Sequence, residues 1–143
     1  MTIRLNPERY INKVLQRFGT VNCKPMKTPL PTRPNLEVYV EDANTDDDFS
    51  IGTILDDQLW TRPDLAYSVS LLSQFSANPG RNHWNCVRHI IRYLKRTKSM
   101  ELCYSGSDSL NFHGFKDSYF AADHATEKST IGHVFMMSGG AVI

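Results

Sequence analysis

The sequence predicts a mixed α/β (α+β) chain in which helices come first and strands follow. Two observations predict this order. Apolar residues recur at helical spacing in three segments before Met100, whereas the runs after it are short, β-type and separated by Ser, Gly and Asp. The hydrophobic fraction of 41% over 143 residues suits a globular protein. We therefore expect three helices joined by loops, followed by the first strands of a sheet.

The first predicted helix lies in LNPERYINKVLQRFG, residues 5–19. Asn6 is the predicted N-cap, Pro7 suits the first helical position, and Gly19 is a natural C-terminal stop. One apolar face at helical spacing is formed by Tyr10, Ile11, Val14, Leu15 and Phe18.

Two unusual segments follow this helix. Residues 23–36, CKPMKTPLPTRPNL, hold four prolines, which predicts an extended connector. Residues 37–57 carry eight of the fifteen acids and no Lys or Arg, which predicts a mobile acidic loop. The remainder of the chain is therefore strongly basic. This segregation is compatible with binding a polyanion and equally with a well-solvated surface.

The second helix is predicted within TRPDLAYSVSLLSQFSANPG, residues 61–80. Thr61 is the expected cap, with Asp64 three residues on as a weak capping box. A turn at residues 78–80 ends the helix. Its apolar stripe comprises Leu65, Val69, Leu72 and Phe75.

The third helix is predicted from about Asn82 and is the most basic segment of the chain. Its apolar side is formed by Trp84, Val87, Ile91 and Leu94. Arg88, Arg92 and Arg96 follow one another at i, i+4 and i+8 on the other side, with Lys95 beside them. Arginine can bond two phosphate oxygens at once. The pattern fits a phosphate-binding face or an ordinary solvated face, and residue chemistry alone favours the second.

Neither metal chemistry nor membrane insertion is indicated by the residues themselves. His83, Cys86 and His89 spread around the third helix, so packing and capping are the better interpretation. Asp117 ends a strand-like stretch and Asp123 follows, but a two-metal site needs several converging carboxylates, which favours a turn or strand-terminating role for Asp117. No apolar run approaches the ~20 residues of a membrane helix, and MTIRLNPERY lacks a signal-like core. The expected location is intracellular, cytoplasmic or nuclear.

An ordered series of motifs resembles the Pol polyprotein of copia-type LTR retrotransposons, from the end of the reverse transcriptase into the start of ribonuclease H. The motifs are YINKVLQRFG, CKPMKTPLP, IGTIL, TRPDLAYSVSLLSQFSANPGRNHWNCVRHIIRYLKRTK, LCYSG and GFKDSYFAADHATEKSTIGHVFMMSGGAVI. The resemblance implies a thumb/connection-like helical region at 1–99, including the acidic loop 37–57. It implies the N-terminal part of a truncated ribonuclease H-like domain at 100–143.

The resemblance also implies roles for individual residues. Arg88, Arg92, Lys95 and Arg96 would contact the backbone of an RNA–DNA hybrid or duplex, independently of sequence. Asp117 would be the first ribonuclease H carboxylate, both catalytic and metal-binding, with Mg²⁺ as the cofactor of the family.

Departures from the family pattern predict that the chain is catalytically incomplete and binds no metal alone. No Tyr-x-Asp-Asp motif occurs, and Asp56-Asp57 stand where the family has apolar residues. KDSYFA replaces the usual Ser-Asp-Ala-Asp-Trp-Ala, with Tyr119 in place of the second aspartate. The alternatives are a non-catalytic nucleic-acid-binding module or an interaction fragment. The latter would self-associate through an open strand edge expected near Val134 to Met137.

Overall fold

The computed structural model describes residues 1–34, 36, 61–76, 79–106, 112–119 and 130–142. The expected acidic loop 37–57 and Asp123 lie outside these residues. The chain forms two compact units: residues 6–100, called the helical unit, and residues 1–5 with 101–143, called the sheet unit. The predicted mixed α/β class is confirmed, since helices and antiparallel sheets are both present. No helix in the described ranges is long and apolar enough to cross a membrane.

Helix α1, Glu8–Arg17, begins one residue later than the sequence predicts. Asn6 nevertheless acts as expected, because its Oδ1 accepts the Glu8 N–H at 2.8 Å. The Pro7 carbonyl accepts the Ile11 N–H at 3.0 Å and so makes the first helical hydrogen bond. Proline suits this position because its missing N–H would have no partner inside the helix.

The end of α1 confirms the predicted stop at Gly19. This glycine has a φ of +60°, in the left-handed region that disfavours side chains bearing a Cβ. The Gly19 N–H donates to the Gln16 carbonyl at 3.1 Å, and the Thr20 N–H donates to the Leu15 carbonyl at 2.9 Å. These two bonds form a Schellman motif, which satisfies carbonyls that the helix leaves unpaired.

The predicted second helix forms as two pieces. A 3₁₀ turn, Pro63–Leu65, leads into helix α2, Ala66–Ser73. The predicted cap at Thr61 is wrong, because the residue before the turn is Arg62 and no side chain caps it. The predicted capping box is also wrong, because the Asp64 carboxylate is taken by the Arg62 guanidinium.

Helix α3, Arg81–Arg96, lies within one residue of its predicted start and provides most of the core of the helical unit. Its predicted apolar side is confirmed: Trp84, Val87, Ile91 and Leu94 are all buried. They pack in one cluster with residues of α1 and of the 3₁₀–α2 segment, namely Ile11, Val14, Leu15, Leu65, Val69 and Leu72. Because this side of α3 is buried, the side that carries Arg88 and Arg96 is the exposed one.

The sheet unit contains two antiparallel sheets. Strand β1, Thr2–Leu5, pairs with β2, Leu102–Ser105, and the sequence analysis did not anticipate β1. Strands β3 (Phe112–Tyr119), β4 (Thr130–Met137) and β5 (Gly140–Val142) form the second sheet in that order.

The strand edge predicted near Val134 to Met137 is wrong for Phe135 to Met137, whereas Val134 pairs within the described residues with Phe115 of β3. Phe135, Met136 and Met137 pair with β3 on one side and with β5 on the other. The reason is the tight turn at Ser138 and Gly139, whose φ values of 52° and 81° suit a two-residue hairpin and return the chain along β4. The SGG turn signal is thus confirmed, and β3 is an outer strand of this sheet.

The two sheets contact each other around Tyr104. Its hydroxyl donates to the Ala141 carbonyl at 2.6 Å, and the Ser105 N–H donates to the Ser138 carbonyl at 2.8 Å. A Cβ on Gly140 would lie 2.6 Å from the Tyr104 ring. Glycine is therefore required at the start of β5 for this contact.

Candidate nucleic-acid interface

The N-terminal end of α3 is held by His83, one of the residues with a predicted capping and packing role. Its Nδ1 accepts the Gly80 N–H at 2.8 Å, and its ring stacks on Phe75 with centroids 4.3 Å apart. Burial lowers the pKa of His83, and the Leu36 backbone partly opposes this shift. The Nε2 atom is buried and has no hydrogen-bond partner among the described residues. The imidazole is therefore held neutral, which the accepting Nδ1 requires.

The predicted packing role of Cys86 is confirmed, whereas His89 is half-buried and contacts the connector. Cys86 is buried, and that burial raises the pKa of its thiol. His89 faces the Thr28 carbonyl at 3.0 Å; burial lowers its pKa, the carbonyl raises it, and the Arg92 charge lowers it further. Within the described ranges, no group of three or more His, Cys, Asp or Glu could share a metal ion.

The four predicted phosphate-binding residues lie in two different settings. Arg88 and Arg96 are exposed, as the sequence predicts. Arg92 and Lys95 are half-buried. The Arg92 Nε donates to the Lys24 carbonyl and the Lys95 Nζ to the Cys23 carbonyl, both at 2.7 Å. The row of positive charge is therefore exposed at its two ends and bound to the connector in between.

The proline-rich connector runs along α3 in the opposite direction. Cys23 and Lys24 lie against the last turns of the helix, and Thr28 lies against His89 nearer its middle. One backbone bond joins the two segments directly, from the Met26 N–H to the Arg92 carbonyl at 3.2 Å. The described residues of this segment form neither helix nor strand, and several of them, including residues 27–30, are bends.

A buried charged cluster at Arg62 is the main feature that the sequence analysis missed. The Arg62 side chain is only 2% exposed and makes two bonds to the Asp64 carboxylate, at 2.9 and 2.8 Å. It also donates to the Thr97 Oγ1 at 2.7 Å, and the Tyr93 hydroxyl donates to Asp64 at 2.7 Å. The only sequence signal was an Arg and an Asp flanking Pro63, because the other partners are about thirty residues away in the chain.

Opposing effects act on the pKa values of this pair. Burial alone would lower the pKa of Arg62, but the hydrogen bond and charge of Asp64 raise it above its usual value. Burial alone would raise the pKa of Asp64, but hydrogen bonds from Arg62 and Tyr93 and the Arg62 charge hold it below its usual value. Both groups are therefore charged at neutral pH.

Basic residues outnumber acidic residues in the described part of the helical unit. Its acidic residues there are Glu8 and Asp64, and each is ion-paired: Glu8 with Lys98 at 3.3 Å, Asp64 with Arg62 at 2.8 Å. Arg88 and Arg96 therefore have no carboxylate of these residues as a partner. Exposed guanidinium groups in such a setting are chemically suited to phosphate oxygens.

Asp117 lies inside β3, where its backbone pairs with Gly132. The strand continues to Tyr119, so the prediction that Asp117 ends it is wrong by two residues. The structure describes the backbone of Asp117 and not its side chain.

Comparison with known proteins identifies the homologues of this mixed α/β chain. It is 37% identical over 147 residues to the retrovirus-related Pol polyprotein from transposon TNT 1-94 of Nicotiana tabacum, covering 96% of this chain and 11% of that protein. It is 31% identical over 134 residues to the corresponding polyprotein from transposon RE2 of Arabidopsis thaliana, covering 92% and 9%. An uncharacterized mitochondrial protein of Arabidopsis thaliana is 33% identical over 129 residues, covering 90% and 54%.

Two of these three relatives are thus retrovirus-related Pol polyproteins from plant transposons, and the chain aligns with a segment of each. It spans about a tenth of the length of the transposon polyproteins, at 11% and 9%. No protein-family model matches the chain. No solved structure matches it either.

Proposed function

We propose that the chain corresponds to the end of the reverse transcriptase and the start of ribonuclease H in a copia-type Pol polyprotein, and that its helical unit binds nucleic acid. The homology to transposon Pol polyproteins supports the first part. The order of a helical unit followed by the antiparallel β3-β4-β5 sheet agrees with the order expected from the resemblance.

One observation carries the binding proposal: α3 buries its apolar side completely while exposing Arg88 and Arg96 on the other. Because the apolar side is occupied by the core, the basic side is the one available to a partner. The residues separating the two arginines rise ~12 Å along the helix. That length matches a run of several phosphates on one strand, which are about 3.4 Å apart along a duplex axis.

The partner of this surface is an RNA–DNA hybrid or a duplex, bound through its phosphates. Contacts to phosphate oxygens fix the position of the nucleic acid and carry no base information. Binding should therefore be independent of sequence and should weaken as salt rises, because bound phosphates release their counterions.

Catalysis belongs in this proposal to the longer polyprotein. The sequence contains no Tyr-x-Asp-Asp motif, and Asp117 with Asp123 is too few carboxylates for a two-metal site. We assign Asp117 as a vestigial ribonuclease H carboxylate, with Mg²⁺ the cofactor of the family, and the location as intracellular, cytoplasmic or nuclear.

The test is fluorescence anisotropy of the whole chain with labelled hybrids and duplexes of unrelated sequence, from about 50 to 200 mM salt. The variant is Arg88→Gln/Arg96→Gln, since glutamine keeps helix propensity while removing charge. We expect the slope of log K against log salt to fall by about 1.8, from two lost phosphate contacts.

The control is Arg9→Gln/Lys13→Gln, which removes two exposed charges, four residues apart, from α1. It should change the slope much less. Binding that is undetectable or insensitive to salt would overturn the proposal, and so would equal effects of the two double variants. Circular dichroism confirms that each variant keeps its helices.

A further inference from the structure

The connector supplies a feature that the basic helix alone does not have. Its backbone carbonyls accept hydrogen bonds from Arg92 and Lys95, so one N–H donor of each side chain is bonded within the protein. Its own lysines, Lys24 and Lys27, are exposed. Two cations of α3 are thus half-buried under the connector, and the connector itself carries two exposed cations.

The backbone that carries Lys24 and Lys27 lies against Arg92 of α3. The Lys24 carbonyl is 2.7 Å from the Arg92 Nε, and the Met26 N–H, next to Lys27, is 3.2 Å from the Arg92 carbonyl. Arg88 and Arg96 lie one helical turn, ~5.4 Å, on either side of Arg92. The backbone of this part of the connector therefore lies between the exposed arginines along the helix.

Building on the proposed function, we infer that Lys24 and Lys27 are phosphate-contacting residues and that Arg92 and Lys95 are positioning residues that hold them in place. The partner is the sugar–phosphate backbone of a hybrid or duplex. The surface is then composite: arginines from α3 at its ends and lysines from the connector in its middle.

The chemistry of the connector favours this arrangement. Proline fixes φ near −65°, so the segment that carries Lys24 and Lys27 has fewer conformations to lose on binding. Three side-chain contacts and one backbone bond, at Cys23, Lys24, Met26 and Thr28, fix it on α3. A lysine held on a fixed backbone delivers its charge to phosphate at a smaller entropic cost than one on a free loop.

The first test compares Lys24→Gln/Lys27→Gln with the same control, Arg9→Gln/Lys13→Gln, in the salt titration. We expect the slope of log K against log salt to fall by about 1.8 for the connector variant. If wild type binds and the connector variant behaves like the control, this assignment is overturned while the proposed function stands. If wild type does not bind, both are overturned.

The second test separates positioning from direct contact for Arg92. Arg92→Gln is measured in wild type and in the Lys24→Gln/Lys27→Gln background. If Arg92 acts through the connector, Arg92→Gln should reduce affinity much less once those lysines are replaced. The affinity losses of the two variants should therefore be far from multiplicative. Exchange of the Met26 amide should accelerate in Arg92→Gln.

Direct phosphate contact by Arg92 predicts a different result. The affinity losses would then multiply. The slope of log K against log salt would fall by a further 0.9 or about that in the Lys24→Gln/Lys27→Gln background. That outcome would overturn the positioning role. A global folding defect is recognised separately, because it would reduce the helical circular dichroism signal and affect all ligands and backgrounds equally.

Discussion

Arg62 shows how a buried charge is stabilised in this protein. Its guanidinium is bonded twice by Asp64 and once each by the Thr97 hydroxyl and carbonyl, the latter at 3.3 Å. It also lies over the Tyr93 ring, 5.6 Å from the centroid. Burial of a charge is unfavourable unless such partners replace water. The cluster therefore joins the segment before α2 to the end of α3.

Asp64→Asn should destabilise the helical unit through this cluster. We expect the free energy of unfolding to fall by about 2 kcal/mol at pH 7, less than for a fully buried pair because the Asp64 side chain is 30% exposed. The loss arises because Arg62 stays charged and buried after losing its counter-ion. Urea titration monitored by circular dichroism measures it.

The ion pair of Arg62 and Asp64 predicts that the free energy of unfolding falls at low pH. The folded pKa of Asp64 lies below its usual 3.8, so its stabilising effect is complete above that value and is lost as pH falls through the folded pKa. The difference between wild type and Asp64→Asn should be constant from about pH 7 to 5 and shrink below about 4. A constant difference down to about pH 2 would contradict this assignment. Glu8→Gln, at an exposed pair, should change stability little.

Among the elements, α3 combines a buried face, a capped start and a bound connector. Its start depends on an uncharged histidine, because the Gly80 N–H donates to the Nδ1 of His83. Protonation of that nitrogen would remove the acceptor and place a charge in a site where the side chain is 1% exposed. The stability of the helix should therefore respond to pH near neutrality.

The His83 prediction follows from its lowered pKa. The neutral form is favoured in the fold, so stability is complete above the ordinary value of 6.5 and is lost as pH falls toward the lower folded value. His83→Gln should remove that part of the pH dependence, and loss of the cap should lower the free energy of unfolding at pH 8 by about 1 kcal/mol. Urea titrations from about pH 8 to 5 measure it.

His89 supplies the control for that experiment. Its pKa is also lowered by burial, so His89→Gln should remove a separate part of the pH dependence. If His83→Gln retained the full dependence of wild type while His89→Gln abolished it, the proposed capping role of a neutral His83 would be contradicted.

Comparison of elements shows which features the sequence could predict. The helices α1 and α3 were predicted because their apolar spacing and their Pro, Gly and Asn signals are local. Strand β1 was missed because it is four residues long and pairs with β2 about a hundred residues later. The strand edge was misplaced at Phe135 to Met137 because the SGG turn was recognised without following the pairing of β5.

The same distinction applies to the candidate site. The exposed sides of Arg88 and Arg96 followed from helical spacing alone. The partners of Arg92 and Lys95 did not, because the connector that binds them is about seventy residues away in sequence, with separations of 68 and 72. Asp64 was assigned to a local cap because its strongest competing partner, Arg62, gives no periodic signal.

At the scale of the whole molecule, the sheet unit has apolar side chains exposed to solvent. Phe112 and Phe115 on β3 are 61% and 63% exposed, and Val134 and Phe135 on β4 are also exposed. In the β3-β4-β5 order, β3 is an outer strand with eight residues. A strand of this length with exposed aromatic residues is a site for pairing with a second copy of the chain.

We therefore propose that the chain self-associates through β3, and predict that Phe115→Lys reduces this association. A lysine on an outer strand opposes pairing by charge repulsion and desolvation. Static light scattering over a concentration series should show the mean mass of wild type rising, and that of Phe115→Lys staying near 16.3 kDa. Tyr67→Lys, at an exposed aromatic residue of α2, should behave like wild type. A wild-type chain that stays monomeric throughout would contradict the proposal, and equal effects of the two lysine variants would assign the association to general surface charge.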